Sequence, residues 1–277
     1  MNTVLRNPSA KQKPRLIALL PESAVAELKS ALGVDLGEVL CANSNALAGT
    51  TEKVDAVFVD PTTVESSSLS YAVELLKEDV VPCVGFVELD ARNLYSVLSL
   101  ASPVLTTCFV YPLGRSESDR LRHFVLTLPA RKLTTRFLTA FEPSIGRLPP
   151  SLLEAILNLF ERPWRYDCAS DLALQARVAR RSLYRNFDAV RVGSPRKLVI
   201  VARIIHAYAY LRQQVLTVHD VAAKVGYEKV ETLVQHCDDI LGCFPSALRA
   251  EPAEDEVLRH LLEWYCKPEM STMVGVF

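Results

Sequence analysis

Glycine is scarce in this chain, 10 in 277 residues, and with 49% hydrophobic and 23% charged residues the composition excludes disordered, collagenous and fibrous-repeat classes. Long apolar runs are missing too. The longest unbroken stretches, such as 16–20 and 198–202, are about five residues, where a membrane-spanning helix needs about 20. Seven cysteines (41, 83, 108, 168, 237, 243, 266) include no Cys-x-x-Cys pair, and the five histidines are scattered. Spacing therefore assembles no zinc site, no dithiol and no catalytic triad. No Gly-x-Gly follows the first apolar run, where Leu20-Pro21-Glu22-Ser23 stands instead, so a nucleotide-binding enzyme is not expected. These absences lead to an expectation of no catalysis, no metal and no cofactor. Arg6, Lys11, Lys13 and Arg15 precede an apolar segment that stops at Pro21 without a small-residue cleavage site, so residues 1–14 read as a flexible tail of a cytoplasmic protein.

The net charge of −1 conceals a division along the chain. Residues 1–129 hold 11 Lys and Arg against 15 Asp and Glu, residues 130–250 hold 18 against 11, and residues 251–277 hold 2 against 6. Within the basic middle, residues 162–212 carry 11 against 3, a net +8, whereas residues 213–250 carry 3 against 5. One segment of about fifty residues bears the positive field.

From residue 15 to 128, apolar runs alternate with amphipathic stretches. Strands are expected at 16–20, 38–41, 56–59, 83–86 and 107–110, and helices near 22–32, 44–50, 68–78, 90–101 and 116–128. Five strands in strict alternation with helices, each strand continuously apolar, are the order of a flavodoxin-like α/β domain with a parallel sheet covered on both faces. Pro129, Pro143, Gly146, Pro149 and Pro150 mark residues 129–150 as a linker, although 132–141 has the pattern of a short helix. Residues 151–250 then read as an all-α domain and 251–277 as an acidic helix and tail. No internal repeat is evident.

Function concentrates in 170–190. Ser170 is placed to cap a short helix, a tight turn falls at Val178, and a basic helix starts near Ala179. On a helical wheel Leu183 and Phe187 fall together, with Arg181 and Arg185 opposite them and Ser182 and Tyr184 flanking. Cations on the exposed face of the second helix of a helix-turn-helix suit the major groove, because guanidinium forks match guanine edges and neighbouring arginines neutralise phosphates. A merely solvated basic helix is the alternative. A second, similarly spaced unit follows. Ser194-Pro195 opens a long helix with Leu198, Ala202, Ile205 and Ala209 on one face, read as a rigid connector. Thr217-Val-His-Asp220 is a capping box, Gly226-Tyr227 a turn, and the next helix packs Val230, Leu233, Cys237 and Leu241 inward, presents Thr232, Gln235 and His236 outward and stops at Gly242.

The elements Arg180-Arg-Ser-Leu-Tyr-Arg-Asn-Phe187, Ser194-Pro-Arg-Lys197, Val221-Ala-Ala-Lys-Val-Gly-Tyr227 and Leu241-Gly-Cys-Phe-Pro-Ser-Ala-Leu-Arg249, at this spacing, make residues 168–249 resemble the paired helix-turn-helix domain of AraC/XylS-family bacterial transcription regulators. The resemblance implies contacts with double-stranded DNA through Arg180, Arg181, Ser182, Tyr184, Arg185, Arg196, Lys197, Lys229, Thr232 and Gln235. One departure stands out: Asp238 and Asp239 occupy positions where the family usually carries arginines. Carboxylates facing a polyanion weaken binding, so the first unit is expected to dominate, with the second reading bases weakly or serving as scaffold.

The N-terminal alternation resembles a response-regulator receiver domain, and Asp60 stands at the end of the third strand, where receivers accept phosphate. Receivers also need an acidic pair after strand one, a hydroxyl after strand four and a lysine after strand five. Here those positions read Pro21-Glu22, Phe86-Val87 and Tyr111-Pro112. Asp60 reads better as the cap of the following turn, and the domain as a pseudo-receiver for homodimerisation or for a protein or small-molecule signal. The acidic helix from Glu251 to Tyr265 either packs on the bundle or masks the basic segment through Glu254, Asp255 and Glu256. The whole reads as a sequence-specific DNA-binding transcription regulator, with no membrane contact. The alternatives are an adaptor whose helix-turn-helix domain no longer binds DNA, or a regulator phosphorylated at Asp60.

Overall fold

The computed structural model describes residues 13–41, 54–60, 62–63, 81–88, 107–212, 216–250 and 252–266. The chain divides into two compact units, residues 1–132 and 133–277.

The first unit is an α/β sheet domain. Strands β1 (Arg15–Leu19), β2 (Glu38–Cys41), β3 (Ala56–Val59), β4 (Cys83–Glu88) and β5 (Thr107–Tyr111) form one parallel sheet in the order β2-β1-β3-β4-β5, the flavodoxin-like arrangement. All five strands expected from sequence are present. Apart from Arg15 and Glu88 at their ends, the three central strands are apolar because both faces are covered. On one face Leu16, Ala18, Phe58, Val84 and Phe86 pack with Ala24, Leu28 and Leu32 of α1 (Glu22–Leu36) and Leu121, Phe124 and Val125 of α2 (Arg115–Leu126). Ile17, Val57, Val59 and Val87, on the other face, are equally buried. Arg122 ties α2 to α1 by donating from Nε to the Ala31 carbonyl at 2.6 Å, which satisfies a carbonyl near the break at Gly33. The helices expected at 44–50, 68–78 and 90–101 lie outside the described residues.

Much of the segment read as a linker is helical, in α3 (Leu128–Thr139) and α4 (Glu142–Ile145). Leu133 and Phe137, one turn apart, are fully buried and give α3 its reason to form, whereas the prolines fall at helix starts and turns.

The second unit is helical: α5 (Pro150–Glu161), a 3₁₀ turn (Pro163–Arg165), α6 (Ala169–Gln175), α7 (Arg180–Val190), α8 (Pro195–Arg212), α9 (Val218–Lys224), α10 (Val230–Leu241) and α11 (Glu254–Cys266). Helix α8, read from sequence as a connector with one apolar face, is instead the centre of the unit. Only Arg196, Ile200 and Arg212 escape burial. Burial takes the polar groups of Lys197, Arg203 and His206 out of solvent, and each donates to a carbonyl of a different part of the chain, while Arg203 Nε is left without a hydrogen bond among the described residues. Lys197 Nζ donates to Trp264 of α11 at 2.9 Å, Arg203 to Tyr166 after the 3₁₀ turn at 2.6 Å, and His206 Nε2 to Phe160 of α5 at 2.7 Å.

The acidic C-terminal helix belongs to this core. Val257, Leu261 and Tyr265 are fully buried, and Tyr265 packs so closely on Gly193 that a Cβ there would lie 2.4 Å from the Tyr265 carbonyl oxygen. Asp255 pairs with Arg136 at 2.7 Å, and Glu256 lies 3.9 Å from His260 Nε2 on its own helix. Helix α11 packs on the bundle through Val257, Leu261 and Tyr265.

Gly226, between α9 and α10, has φ +88°, and a Cβ there would meet the Trp164 backbone at 2.8 Å. Strain and overlap act together at this position. Gly226→Ala is expected to lower the stability of the unit by roughly 2 kcal/mol or more, read as a fall in denaturation midpoint; an unchanged midpoint would contradict the close approach.

Candidate nucleic-acid interface

The segment Asp167–Val190 builds a helix, a turn and a second helix. The cap of α6 is Cys168 rather than Ser170, because Asp171 at the third helical position accepts from the backbone N–H groups of Asp167 (2.7 Å) and Cys168 (2.9 Å). Helix α6 stops where Arg177 enters the left-handed region (φ 54°) and Val178 donates to the Ala173 carbonyl at 2.9 Å. Ala179 is extended, and α7 starts at the next residue. Leu183 and Phe187 are 0% and 1% exposed and lock the back of α7 into the core, a contribution of about 1.5–3 kcal/mol each.

Opposite them, Arg181 and Arg185 are exposed, with Ser182 and Tyr184 half-buried at the flanks; Arg180, the first residue of α7 and one turn before Leu183, is exposed too. The Arg180 guanidinium lies 5.9 Å from the centre of the Tyr184 ring. Arg181 and Arg185 sit one turn apart on the same face and have no ion pair or hydrogen bond among the described residues. The same holds for Arg177 and Arg191, both exposed and in left-handed backbone at the two ends of α7, and for exposed Arg196 at the start of α8. Elsewhere in the unit Arg136 is tied to Asp255, Arg203 to the Tyr166 carbonyl, Arg212 to the Ala250 carbonyl, Arg249 to the Leu216 carbonyl and Arg259 to Glu263, whereas exposed Arg147, Arg162 and Arg165 have no side-chain ion pair or hydrogen bond among the described residues. The sequence motifs did not single out Arg177 or Arg191; the local charge count was the only signal for them.

Lys197, placed by the sequence reading among the DNA contacts, is 8% exposed, donates to the Trp264 carbonyl and lies 4.9 Å over the Trp264 ring. It is a core group and cannot reach a phosphate.

The second unit repeats the first in geometry. Thr217 caps α9 and exchanges hydrogen bonds with Asp220, whose carboxyl is held below the usual range by that hydroxyl. Tyr227 donates its N–H to the Ala222 carbonyl at 2.9 Å, as Val178 does to Ala173, and extended Lys229 precedes α10 as Ala179 precedes α7. The second, similarly spaced unit read from the sequence is therefore repeated in the backbone. Leu233 and Cys237 take the places of Leu183 and Phe187 and are fully buried. Thr232, Gln235, Glu231, Asp238, Asp239 and Lys229 are exposed. His236, expected to point outward, is half-buried with its Nδ1 2.8 Å from the Tyr227 hydroxyl, and burial holds its pKa below the usual histidine value, with Arg196 and Arg203 acting in the same direction and Asp239 against it.

In the first unit Asp60 is 2% exposed, and its Oδ1 accepts from the Thr62 N–H at 2.9 Å and the Thr62 hydroxyl at 2.6 Å, the cap of a tight turn. Burial, then the Asp60 charge, pushes up the Cys108 thiol and the Tyr111 phenol. Among the described residues no group of three or more potential ligands is arranged to hold a metal ion, and no helix is long and apolar enough to cross a membrane.

Comparison with known families matches residues 172–251 to the helix-turn-helix domain family, in agreement with the AraC-type resemblance carried by the motifs. Comparison with curated proteins gives no match. Among solved structures the chain is similar to full-length FixJ from B. japonicum, at 11% identity and a TM-score of 0.37 over 82% of this chain and 97% of that one.

The adjacent cations Arg196 and Lys197 separate two roles. Lys197→Met leaves a carbonyl without its donor and is expected to cost about 1–3 kcal/mol, whereas Arg196→Ala should stay within about 0.5 kcal/mol of wild type; chemical denaturation of both variants checks this, and equal stabilities would contradict the assignment.

Proposed function

We propose that this protein is a sequence-specific DNA-binding transcription regulator that reads double-stranded DNA mainly through α7. The observation that carries the reading is the pair Arg181 and Arg185: exposed, one turn apart, without internal partners, and on a helix whose reverse face is fixed by Leu183 and Phe187. A guanidinium without a carboxylate is available to a guanine edge or a phosphate. Arg177, Arg180, Arg191 and Arg196 supply further phosphate contacts, with Ser182 and Tyr184 beside them. The helix-turn-helix match over 172–251 supports the same reading.

The α/β unit serves as the input or dimerisation module and works without phosphorylation. Asp60 already spends one carboxylate oxygen on Thr62, and the positions that would hold a metal and neutralise a phosphoryl group carry Pro21-Glu22, Phe86-Val87 and Tyr111-Pro112. Incubation with acetyl phosphate and Mg²⁺ is expected to leave the intact mass unchanged; a phosphoryl-sized gain abolished by Asp60→Asn would contradict this.

Selection from a pool of random duplex DNA should enrich a motif with wild-type protein and none with Arg181→Ala/Arg185→Ala. The double variant should also lose about two units of the slope of log affinity against log salt if both arginines meet phosphates, and less if they meet bases. An identical enriched motif from the double variant would sink the proposal.

A further inference from the structure

Superimposed at their buried residues, Leu183 on Leu233 and Phe187 on Cys237, the two recognition helices place Glu231 where Arg181 stands, Thr232 where Ser182 stands and Gln235 where Arg185 stands. All three are in the N-terminal half of α10 and exposed, the part of a recognition helix that meets base edges. The chemistry at these places is inverted. Arginine is donor only, whereas ionised Glu231 is acceptor only. Gln235 carries an acceptor and two N–H donors; its amide nitrogen gives one N–H to Asp239 Oδ1 at 2.8 Å, which leaves the amide oxygen and one N–H to offer. Asp238 adds a further acceptor alongside.

The four base pairs respond differently to such a surface. Guanine shows only acceptors in the major groove and repels a carboxylate. Adenine sets its N6 donor beside the N7 acceptor, which suits an amide with both groups free. Cytosine shows a lone N4 amino donor, which suits an acceptor with nothing to donate. We propose that α10 selects cytosine through Glu231, the main acceptor for the N4 amino group. This rests on the DNA-binding reading above. The same carboxylates repel phosphates, so α10 adds discrimination while lowering affinity. The two units thus read opposite chemistry, donors from α7 and acceptors from α10.

The test uses the full chain and the duplex enriched by wild type, with each position outside the block lost in Arg181→Ala/Arg185→Ala substituted in turn. Wild type should prefer cytosine at one or two of these positions by roughly tenfold. Glu231→Gln should tighten binding to every duplex several-fold and abolish the preference at its position, a gain and a loss that misfolding would not produce together. A cytosine preference that survives Glu231→Gln, or a wild-type protein indifferent to every base outside the α7 block, overturns the assignment while leaving DNA binding intact. No enriched motif at all overturns the DNA-binding reading itself.

Discussion

The second unit depends on one constraint: α8 is buried on nearly every face and still carries Lys197, Arg203 and His206. A cation in such a place is tolerated only when something accepts from it. The three carbonyls that do so, of Trp264, Tyr166 and Phe160, belong to the C-terminal helix, the turn ahead of α6 and helix α5. Arg203 also lies 5.1 Å over the Tyr227 ring, beside the turn that opens α10. Both helix-turn-helix units are thereby referenced to one rigid element, and a shift of α8 would disturb the approach to both recognition helices.

Against that background the division of the arginines acquires meaning. Where the fold needs a guanidinium, it supplies a carbonyl or carboxylate within hydrogen-bond distance, as at Arg203 and Arg249. Around α7 it supplies none, and Asp188 is the one acidic side chain on that helix. Arg177, Arg180, Arg181, Arg185, Arg191 and Arg196 are six exposed cations whose side chains have no ion pair or hydrogen bond among the described residues. The second unit kept the backbone of the first and lost its charge. The two therefore have the same geometry and different electrostatics.

The sheet order and the paired helix-turn-helix were legible in the sequence because each rests on local rules. Continuous β-branched runs mark two-sided strands, and capping residues with a turn glycine mark helix starts and stops. What failed to be legible depends on distant neighbours. Lys197 follows Arg196 in an apparently basic pair, and nothing local says that Trp264, far along the chain, accepts its proton. Helix α8 showed one apolar stripe, yet its polar residues are buried as well, since the decisive carbonyls lie in other elements. The helix starts at Ala169, before Ser170, because Asp171 accepts from the Asp167 and Cys168 N–H groups and closes a capping box on Cys168.

The central claim, that uncompensated arginines around α7 are the DNA surface, is tested most directly by the arginine Nε–H resonances of the full chain titrated with the selected duplex. The account predicts shifts for Arg181 and Arg185, with Arg177, Arg180, Arg191 and Arg196 following, while the internally bonded Arg203 and Arg249 hold still. Shifts confined to the tied arginines, or none around α7 at saturating DNA, would contradict it.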